Sequence, residues 1–181
     1  MQIIFRWFYC LPILYIAGLL FVGTAFYLIL CRKCCHISQW YGITVFLFFI
    51  WMTVVLLGTI IDRTAYNEGM KPIIIPFYSY YVVLTGGEKE LLRENLMNII
   101  LFYPAGLFAC ELLPKSWSRA KRVVLVAVLF ALISAGIEIC QYHFVLGQAE
   151  IDDVIHNTLG ALIGALVCTI NLKWKPYKSK G

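Results

Sequence analysis

The chain has 181 residues, of which 61% are hydrophobic and only 14% are charged. Soluble domains carry about 25% charged and 45–50% apolar residues, so the composition excludes an ordinary soluble domain. It predicts an all-α, polytopic membrane helix bundle that forms one membrane domain over residues 1–181. The net charge of +5 comes from basic residues at the ends of apolar runs, where they orient membrane proteins, and we expect no nucleic-acid partner.

Five apolar runs are long enough to cross about 30 Å of hydrocarbon, which takes about 20 helical residues. Because backbone polar groups cannot stay unpaired in lipid, each run is predicted to be an α-helix. The predicted spans are residues 11–30, 41–61, 96–113, 123–142 and 154–172. The first run is long for a signal peptide and is followed by "CRKCC" rather than by small cleavage-site residues. We therefore interpret it as a span.

The sequence "CRKCCHIS" follows the first predicted span and contains Cys31, Cys34, Cys35 and His36. A haem-attachment motif needs histidine directly after the second cysteine of C-x-x-C, and here another cysteine intervenes. Structural zinc sites usually draw on more widely spaced ligands. The other cysteines lie in or beside apolar runs, where cysteine behaves as a small hydrophobic residue. We expect reduced thiols, no metal and no cofactor.

The segment of residues 62–95, between the second and third spans, contains the apolar and aromatic stretch "KPIIIPFYSYYVVL". This stretch is too short to span a bilayer and carries two prolines. We predict an interfacial or re-entrant segment with its aromatic side chains at headgroup level. An ordinary aromatic belt and a ligand-binding surface are equally compatible with it.

The distribution of lysine and arginine predicts the orientation. With five spans, the N-terminus and the loops of residues 62–95 and 142–153 carry five basic residues. The loops of residues 31–40 and 114–122 and the C-terminal tail carry ten. The positive-inside rule then places the N-terminus outside and the C-terminus in the cytoplasm.

Polar residues of four spans are predicted to meet on one side of the membrane. In an alternating topology, the end of the second span, the start of the third, the end of the fourth and the start of the fifth share one side, which the charge count makes extracytoplasmic. The residues concerned are Asp62, Arg63, Glu94, Asn95, Asn98, Glu138, Gln141, Glu150, Asp152, Asp153, His156 and Asn157. They predict a polar pocket that faces outward.

Helical spacing places part of this set on two faces. One face holds Ser134, Glu138 and Gln141, and the other holds Asp153, Asn157, Gly160 and Gly164. The two glycines form a small-xxx-small element, which permits close helix approach. If this face meets the fourth span, Asp153 and Asn157 would approach Glu138.

Glu138 is the strongest functional candidate of the set. It lies more than one turn inside a predicted span, where an ionised carboxylate costs several kcal/mol unless it is paired or hydrated. Pairing with Arg63 or Arg93 would give it a structural role. The default for an intramembrane ionisable residue favours a functional one.

The other polar residues have good structural interpretations. Asp152 or Asp153 is well placed to cap a helix and to complement its dipole. Asn98 and Asn157 suit interhelical hydrogen bonding. His156 on an apolar helix is more typical of a satisfied interior histidine than of a ligand or a base.

Four segments together resemble the VanZ-like family. They are "GTIIDRTAYNEGMKPIIIPFYSYY" (residues 58–81), "RENLMNIILFYPAGLF" (93–108), "SAGIEICQ" (134–141) and "GQAEIDDVIHNTLGALIG" (147–164). The family pattern carries over at Arg63, Pro76, Phe77, Asn98, Pro104, Gly106, Glu138, Gln141, Asp153, Asn157 and Gly160. The family often shows G-R-x-x-D, where this chain has Gln148 and Glu150. Without that arginine, the chain lacks a guanidinium group that could bind phosphate or carboxylate through two hydrogen bonds. Arg63 or Arg93 would have to supply that contact.

The resemblance implies a protein of the bacterial plasma membrane with a role in low-level resistance to the glycopeptide teicoplanin. Carboxylates and amides beside an aromatic stretch suggest an amphiphilic ligand, either a lipid-linked cell-wall precursor or the lipoglycopeptide itself. The candidate ligand-binding residues are Arg63, Phe77, Asn98, Glu138, Gln141, Asp153 and Asn157. The lipid bilayer is an expected partner, and the oligomeric state stays open.

Two alternatives remain at this stage. In a membrane enzyme acting on a lipid-linked envelope substrate, Glu138 with Asp152 or Asp153 would form an acid/base pair or bind a hard cation, assisted by His156. The sequence contains no strong catalytic motif in its support. In a small proton-coupled transporter, Glu138 would be the titrating group. Five spans are few for a carrier, and no inverted repeat is visible.

Overall fold

The computed structural model describes residues 37–56, 59, 71–87 and 89–170. Within them the chain forms a helical membrane bundle, as predicted, and these ranges contain no β-strand. The helices are α1 (Ile37–Leu56), α2 (Tyr78–Leu84), α3 (Glu90–Leu112), α4 (Arg119–His143) and α5 (Ile151–Thr169). The predicted span 11–30, the cysteine cluster of residues 31–36, and Asp62 and Arg63 lie outside the described residues.

Three helices, α3, α4 and α5, are long and apolar enough to cross a membrane. They correspond to the last three predicted spans, but α3 begins six residues and α4 four residues before the predicted boundary. The apolar stretch of α1, Trp40–Leu56, is shorter, and most of the residues that follow it lie outside the described part of the chain. Large apolar side chains such as Leu132 and Ile139 point outward from α4, as lipid-facing side chains do.

The closest helix pair is α3 with α5, and glycines make the approach possible. A Cβ atom added to Gly160 would lie 2.3 Å from the Ile99 carbonyl oxygen, and one added to Gly164 would lie 2.1 Å from that of Tyr103. Gly106 of α3 is equally crowded by α5. Since residue numbers rise together along the contact, α3 and α5 run parallel.

The glycine face of α5 therefore packs against α3. The predicted close approach is present, but Gly160 and Gly164 meet α3 and not the fourth span. The reason lies in Gly106, which gives α3 a matching flat surface for the backbone of α5. Asn157 of the same predicted face does reach the fourth span. The helix α4 also packs on α5, where Asn157 donates a hydrogen bond to the Ser134 hydroxyl over 2.8 Å.

A short backbone pairing closes one end of the bundle. The Ile73 N–H donates to the Ala149 carbonyl and the Ile151 N–H donates to the Ile73 carbonyl, each over 2.9 Å. The segment before α2 is thereby joined to the start of α5. We call this end, which holds Glu138, Asp152 and Asp153, the carboxylate end.

Candidate functional site

The carboxylate of Asp152 holds the N-terminus of α2. It is buried, with 2% of its surface exposed, and accepts hydrogen bonds from the Phe77 N–H, the Ser79 N–H and the Ser79 hydroxyl. The α2 helix has no capping side chain of its own, and its N-cap residue Phe77 lies in the left-handed region with φ 61°. The first N–H groups of a helix lack intrahelical partners. A carboxylate from α5 accepts those of α2 and thus serves as its N-cap.

Two further contacts complete this anchor. The Asn95 amide of α3 donates to the Ser79 hydroxyl oxygen over 2.8 Å, so α2 is tied to α3 as well as to α5. The His156 Nδ1 atom lies 2.6 Å from the Asp152 carbonyl oxygen. Because a carbonyl only accepts, Nδ1 carries a proton, and Nε2 lies 2.8 Å from the Tyr80 hydroxyl oxygen. His156 is an interior histidine with partners on both nitrogens.

Glu138 lies beside the start of α5, as the sequence predicts for the two helix ends. It is buried on α4, and its Oε2 atom accepts the backbone N–H of Glu150 over 2.9 Å. Glu150 is the N-cap residue of α5 and makes no side-chain cap of its own. The carboxylate thereby fixes the loop that enters α5 and sits near the positive end of that helix dipole.

Three further predicted site residues join helices at this end. Asp153 accepts a hydrogen bond from the Asn98 amide over 2.8 Å, which links α5 to α3. The Gln141 amide of α4 donates to the Thr59 carbonyl over 2.8 Å. The predicted convergence of helix ends α3, α4 and α5 is therefore present, and Thr59 brings the segment after α1 to the same place.

Two buried amide oxygen atoms at this end accept no hydrogen bond from the described residues. They are Oε1 of Gln141 and Oδ1 of Asn157, and both residues are almost fully buried. A buried acceptor without a donor is costly. These atoms add acceptor capacity beside the carboxylates.

The outer surface of the carboxylate end is apolar. The α2 helix and the residues before it expose Ile74, Ile75, Phe77, Tyr80, Tyr81 and Leu84. We call these six residues the α2 surface. Tyr81 is 64% and Leu84 86% exposed, values that suit contact with lipid or with an apolar ligand rather than with water. The segment predicted to be interfacial or re-entrant thus contains the seven-residue helix α2, whose N-terminus is bound by Asp152.

Among the described residues, no group of three or more histidine, cysteine or acidic side chains is arranged to hold a metal ion. The oxygen atoms of Asp152 already accept three hydrogen bonds from Phe77 and Ser79. Its arrangement is that of an anchor for α2. The carboxylates of Glu138 and Asp153 likewise accept hydrogen bonds from neighbouring helices.

Sequence reasoning missed a second polar cluster at the opposite end of the bundle. Arg122 belongs to α4 and is buried, although it was counted as part of the loop of residues 114–122. Its Nη2 atom donates to the Cys110 carbonyl over 2.5 Å and lies 3.5 Å from the Cys168 sulfur. We call this the arginine end. The available signal was the position of Arg122 directly before an apolar run.

Comparison with known proteins identifies one match. The family model described as VanZ/LLP1 matches residues 41–172, which include the carboxylate end, the α2 surface and all the described helices except the first residues of α1. The comparisons with curated proteins and with solved structures found no match.

Proposed function

Because the chain belongs to the VanZ/LLP1 family, we propose that it is a multi-pass protein of the bacterial plasma membrane whose carboxylate end binds an amphiphile of the cell envelope. Binding would lower susceptibility to teicoplanin-type lipoglycopeptides. The proposed orientation has the N-terminus outside, the C-terminus in the cytoplasm and the carboxylate end outward, following the excess of lysine and arginine in the other loops.

The observation that carries the proposal is the α2 surface beside the polar carboxylate end. Exposed apolar side chains there include Tyr81 and Leu84, while the backbone of the same helix is fixed by the buried Asp152. A fixed apolar surface suits an acyl or prenyl chain, because a rigid site loses little conformational entropy on binding.

The polar side of the site offers mainly hydrogen-bond acceptors. The partly exposed carboxylate of Asp153 lies there, whereas the oxygens of Glu138, Gln141 and Asn157 are buried. A matching ligand presents hydroxyl or ammonium donors next to its apolar chain. Lipid-linked saccharide precursors and acylated glycopeptides both have this chemistry, and both are tested below.

The binding test uses the full chain in phosphatidylglycerol nanodiscs. Its probes are teicoplanin, teicoplanin without its acyl chain, and an undecaprenyl-linked saccharide precursor. We expect the acylated probe or the precursor to bind. The double variant Tyr81→Ala/Leu84→Ala should weaken that binding by about tenfold or more, since each buried apolar side chain contributes about 1.5–3 kcal/mol.

The matched control is Leu132→Ala, because Leu132 is 68% exposed on α4 and lies away from the α2 surface. It should bind like the unaltered protein. Equal binding of acylated and deacylated teicoplanin, together with no precursor binding, would overturn the proposal. Equal loss in Leu132→Ala would show that general bilayer contact, and not the α2 surface, carries the binding.

The role in resistance has its own test. Expression of the full chain in a susceptible bacterium should raise the inhibitory concentration of teicoplanin more than that of its deacylated form. The Tyr81→Ala/Leu84→Ala variant, expressed at the same level in the membrane, should lose this difference. An equal change for both antibiotics would contradict a role based on the acyl chain.

A further inference from the structure

Two cations at the arginine end face outward without a carboxylate partner. Residues 114–122, which join α3 to α4, include four basic residues and no acidic one. Of the four, Lys115 forms an ion pair with an α3 carboxylate over 2.6 Å, and Arg122 is buried. The other two, Arg119 and Lys121, are exposed, and no residue in the described part of the chain forms an ion pair with either. Their charges are available to a ligand from outside the bundle.

An aromatic ring fixes the position of one of these cations. The Nζ atom of Lys121 lies 4.0 Å from the centroid of the Trp117 ring, which is a cation–π contact. Trp117 is itself partly buried, and its N–H donates to the Pro114 carbonyl over 3.1 Å in a turn. Because tryptophan favours the headgroup region of a bilayer, the contact places the Lys121 ammonium beside lipid phosphates.

The face of α4 that carries Lys121 continues as an apolar stripe. The positions three, four, seven and eleven residues after Lys121 share that face, and all four side chains are exposed. They are Val124 (60%), Leu125 (41%), Val128 (52%) and Leu132 (68%). From Lys121 to Leu132 the helix rises about 16 Å at about 1.5 Å per residue, about half of a hydrocarbon core of roughly 30 Å. The stripe therefore matches the depth of one leaflet.

We propose that this face of α4 binds a phospholipid with an anionic headgroup, such as phosphatidylglycerol. Lys121 and Arg119 contact its phosphate, and one acyl chain lies along the stripe from Val124 to Leu132. A soluble anion would leave the stripe unused. A phospholipid fits both parts, because it also joins a charged group to an apolar chain about one leaflet long.

The charge of the surface selects the headgroup. Arg119 and Lys121 attract a net negative charge, whereas the choline group of a zwitterionic lipid would find no carboxylate on residues 114–122. The site lies at the opposite end of the bundle from the α2 surface and does not depend on the proposed function. In the proposed orientation it faces the cytoplasmic leaflet, whose surface is negatively charged.

The test measures how brominated lipids quench the fluorescence of Trp117. The full chain, with its other four tryptophans replaced by phenylalanine, is placed in vesicles of equal parts phosphatidylglycerol and phosphatidylcholine. Bromine is carried on the acyl chains of one lipid or of the other. We expect an association constant at least about fivefold larger for phosphatidylglycerol, because one cation near the surface contributes about that factor.

A pair of variants with equal changes in net charge locates the site. Arg119→Gln/Lys121→Gln should lower the preference for phosphatidylglycerol by about fivefold or more. The matched control is Lys71→Gln/Lys89→Gln, which removes two exposed lysines at the carboxylate end and should keep the preference. Inorganic phosphate, compared with sodium chloride at equal ionic strength, should also leave it unchanged.

A second measurement covers the case in which the phenylalanine-substituted protein fails to fold. Native mass spectrometry of the chain with all its tryptophans counts the molecules of each lipid that it retains from the same vesicles. Phosphatidylglycerol should be retained in excess, and only Arg119→Gln/Lys121→Gln should lose that excess. Equal quenching or retention of the two lipids, an equal loss in the Lys71/Lys89 control, or displacement of the lipid by inorganic phosphate would overturn the proposal.

Discussion

The two ends of the bundle both bury charge, and they stabilise it in different ways. At the carboxylate end, Asp152 and Glu138 accept hydrogen bonds from backbone N–H groups at helix starts. At the arginine end, Arg122 donates to a backbone carbonyl near the end of α3. In both places part of the compensation comes from the peptide dipoles of a helix terminus. The difference is the neighbouring side chain, since the Ser79 hydroxyl lies beside Asp152 and the Cys168 sulfur lies beside Arg122.

The largest expected effect comes from removing the Asp152 carboxylate. Asp152→Ala removes the acceptor of the partly buried Phe77 N–H and of the buried N–H and hydroxyl of Ser79. Each unsatisfied buried group costs about 1–3 kcal/mol, so we expect a loss of about 2–6 kcal/mol. Thermal unfolding in detergent measures the loss, and hydrogen exchange of residues 77–84 should rise most. The control is Glu90→Ala, since an exposed ion pair such as that of Glu90 with Arg93 is worth about 0–1 kcal/mol. Equal losses in both variants would contradict the anchoring role.

A smaller effect is expected at the arginine end. Arg122→Met keeps the apolar stem but removes the Arg122 hydrogen bond to the Cys110 carbonyl, which still accepts the Leu113 N–H. Since a hydrogen bond to a charged group contributes about 1.5–3 kcal/mol, we expect a loss of that size. The comparison variant is Arg119→Met, because Arg119 lies exposed on the first turn of the same helix. The free energy of unfolding of both variants is measured in detergent, and we expect the larger loss for Arg122→Met. A more stable Arg122→Met protein would mean that its desolvation penalty exceeds the value of its contacts.

The smallest effect concerns whether Glu138 acts through its charge or only as an acceptor. Glu138→Gln retains an oxygen for the Glu150 N–H and should cost less than about 1 kcal/mol, whereas Glu138→Leu should cost about 1–3 kcal/mol. The melting temperatures of the two variants give this order. A Glu138→Gln protein as unstable as Glu138→Leu would assign the stabilisation to the negative charge.

The long helices were predictable because hydropathy alone identifies them. Their polar first turns were not: α3 begins at Glu90 and α4 at Arg119, where charged residues interrupt the apolar pattern although the helical backbone continues. The same limit hid Arg122, which belongs to the buried part of α4 and contacts a residue of another helix. Composition shows where apolar residues occur, and it does not show which charged residue turns inward.

The candidate site was predictable in its membership and only partly in its contacts. An alternating topology brings the ends of α3, α4 and α5 together whatever their rotation, and Asn98 indeed meets Asp153. The rotation of each helix about its own axis decides which of the remaining side chains contact one another. Spacing placed Gly160 and Gly164 on one helix face, but the choice of α3 as neighbour depends on Gly106. The capping of α2 by Asp152 joins residues more than 70 positions apart, and no local sequence pattern predicts such a contact.

The contact between α3 and α5 can form only late in synthesis, because α4 lies between them in the chain. A ribosome delivers α3 first, then α4, and only afterwards the helix whose glycines cover Gly106. Until translation has passed Thr169, the Cys110 thiol and the flat side of α3 have no protein neighbour from α5. A nascent chain that stalls after His143 therefore leaves this strip of α3 without the helix that covers it in the folded protein.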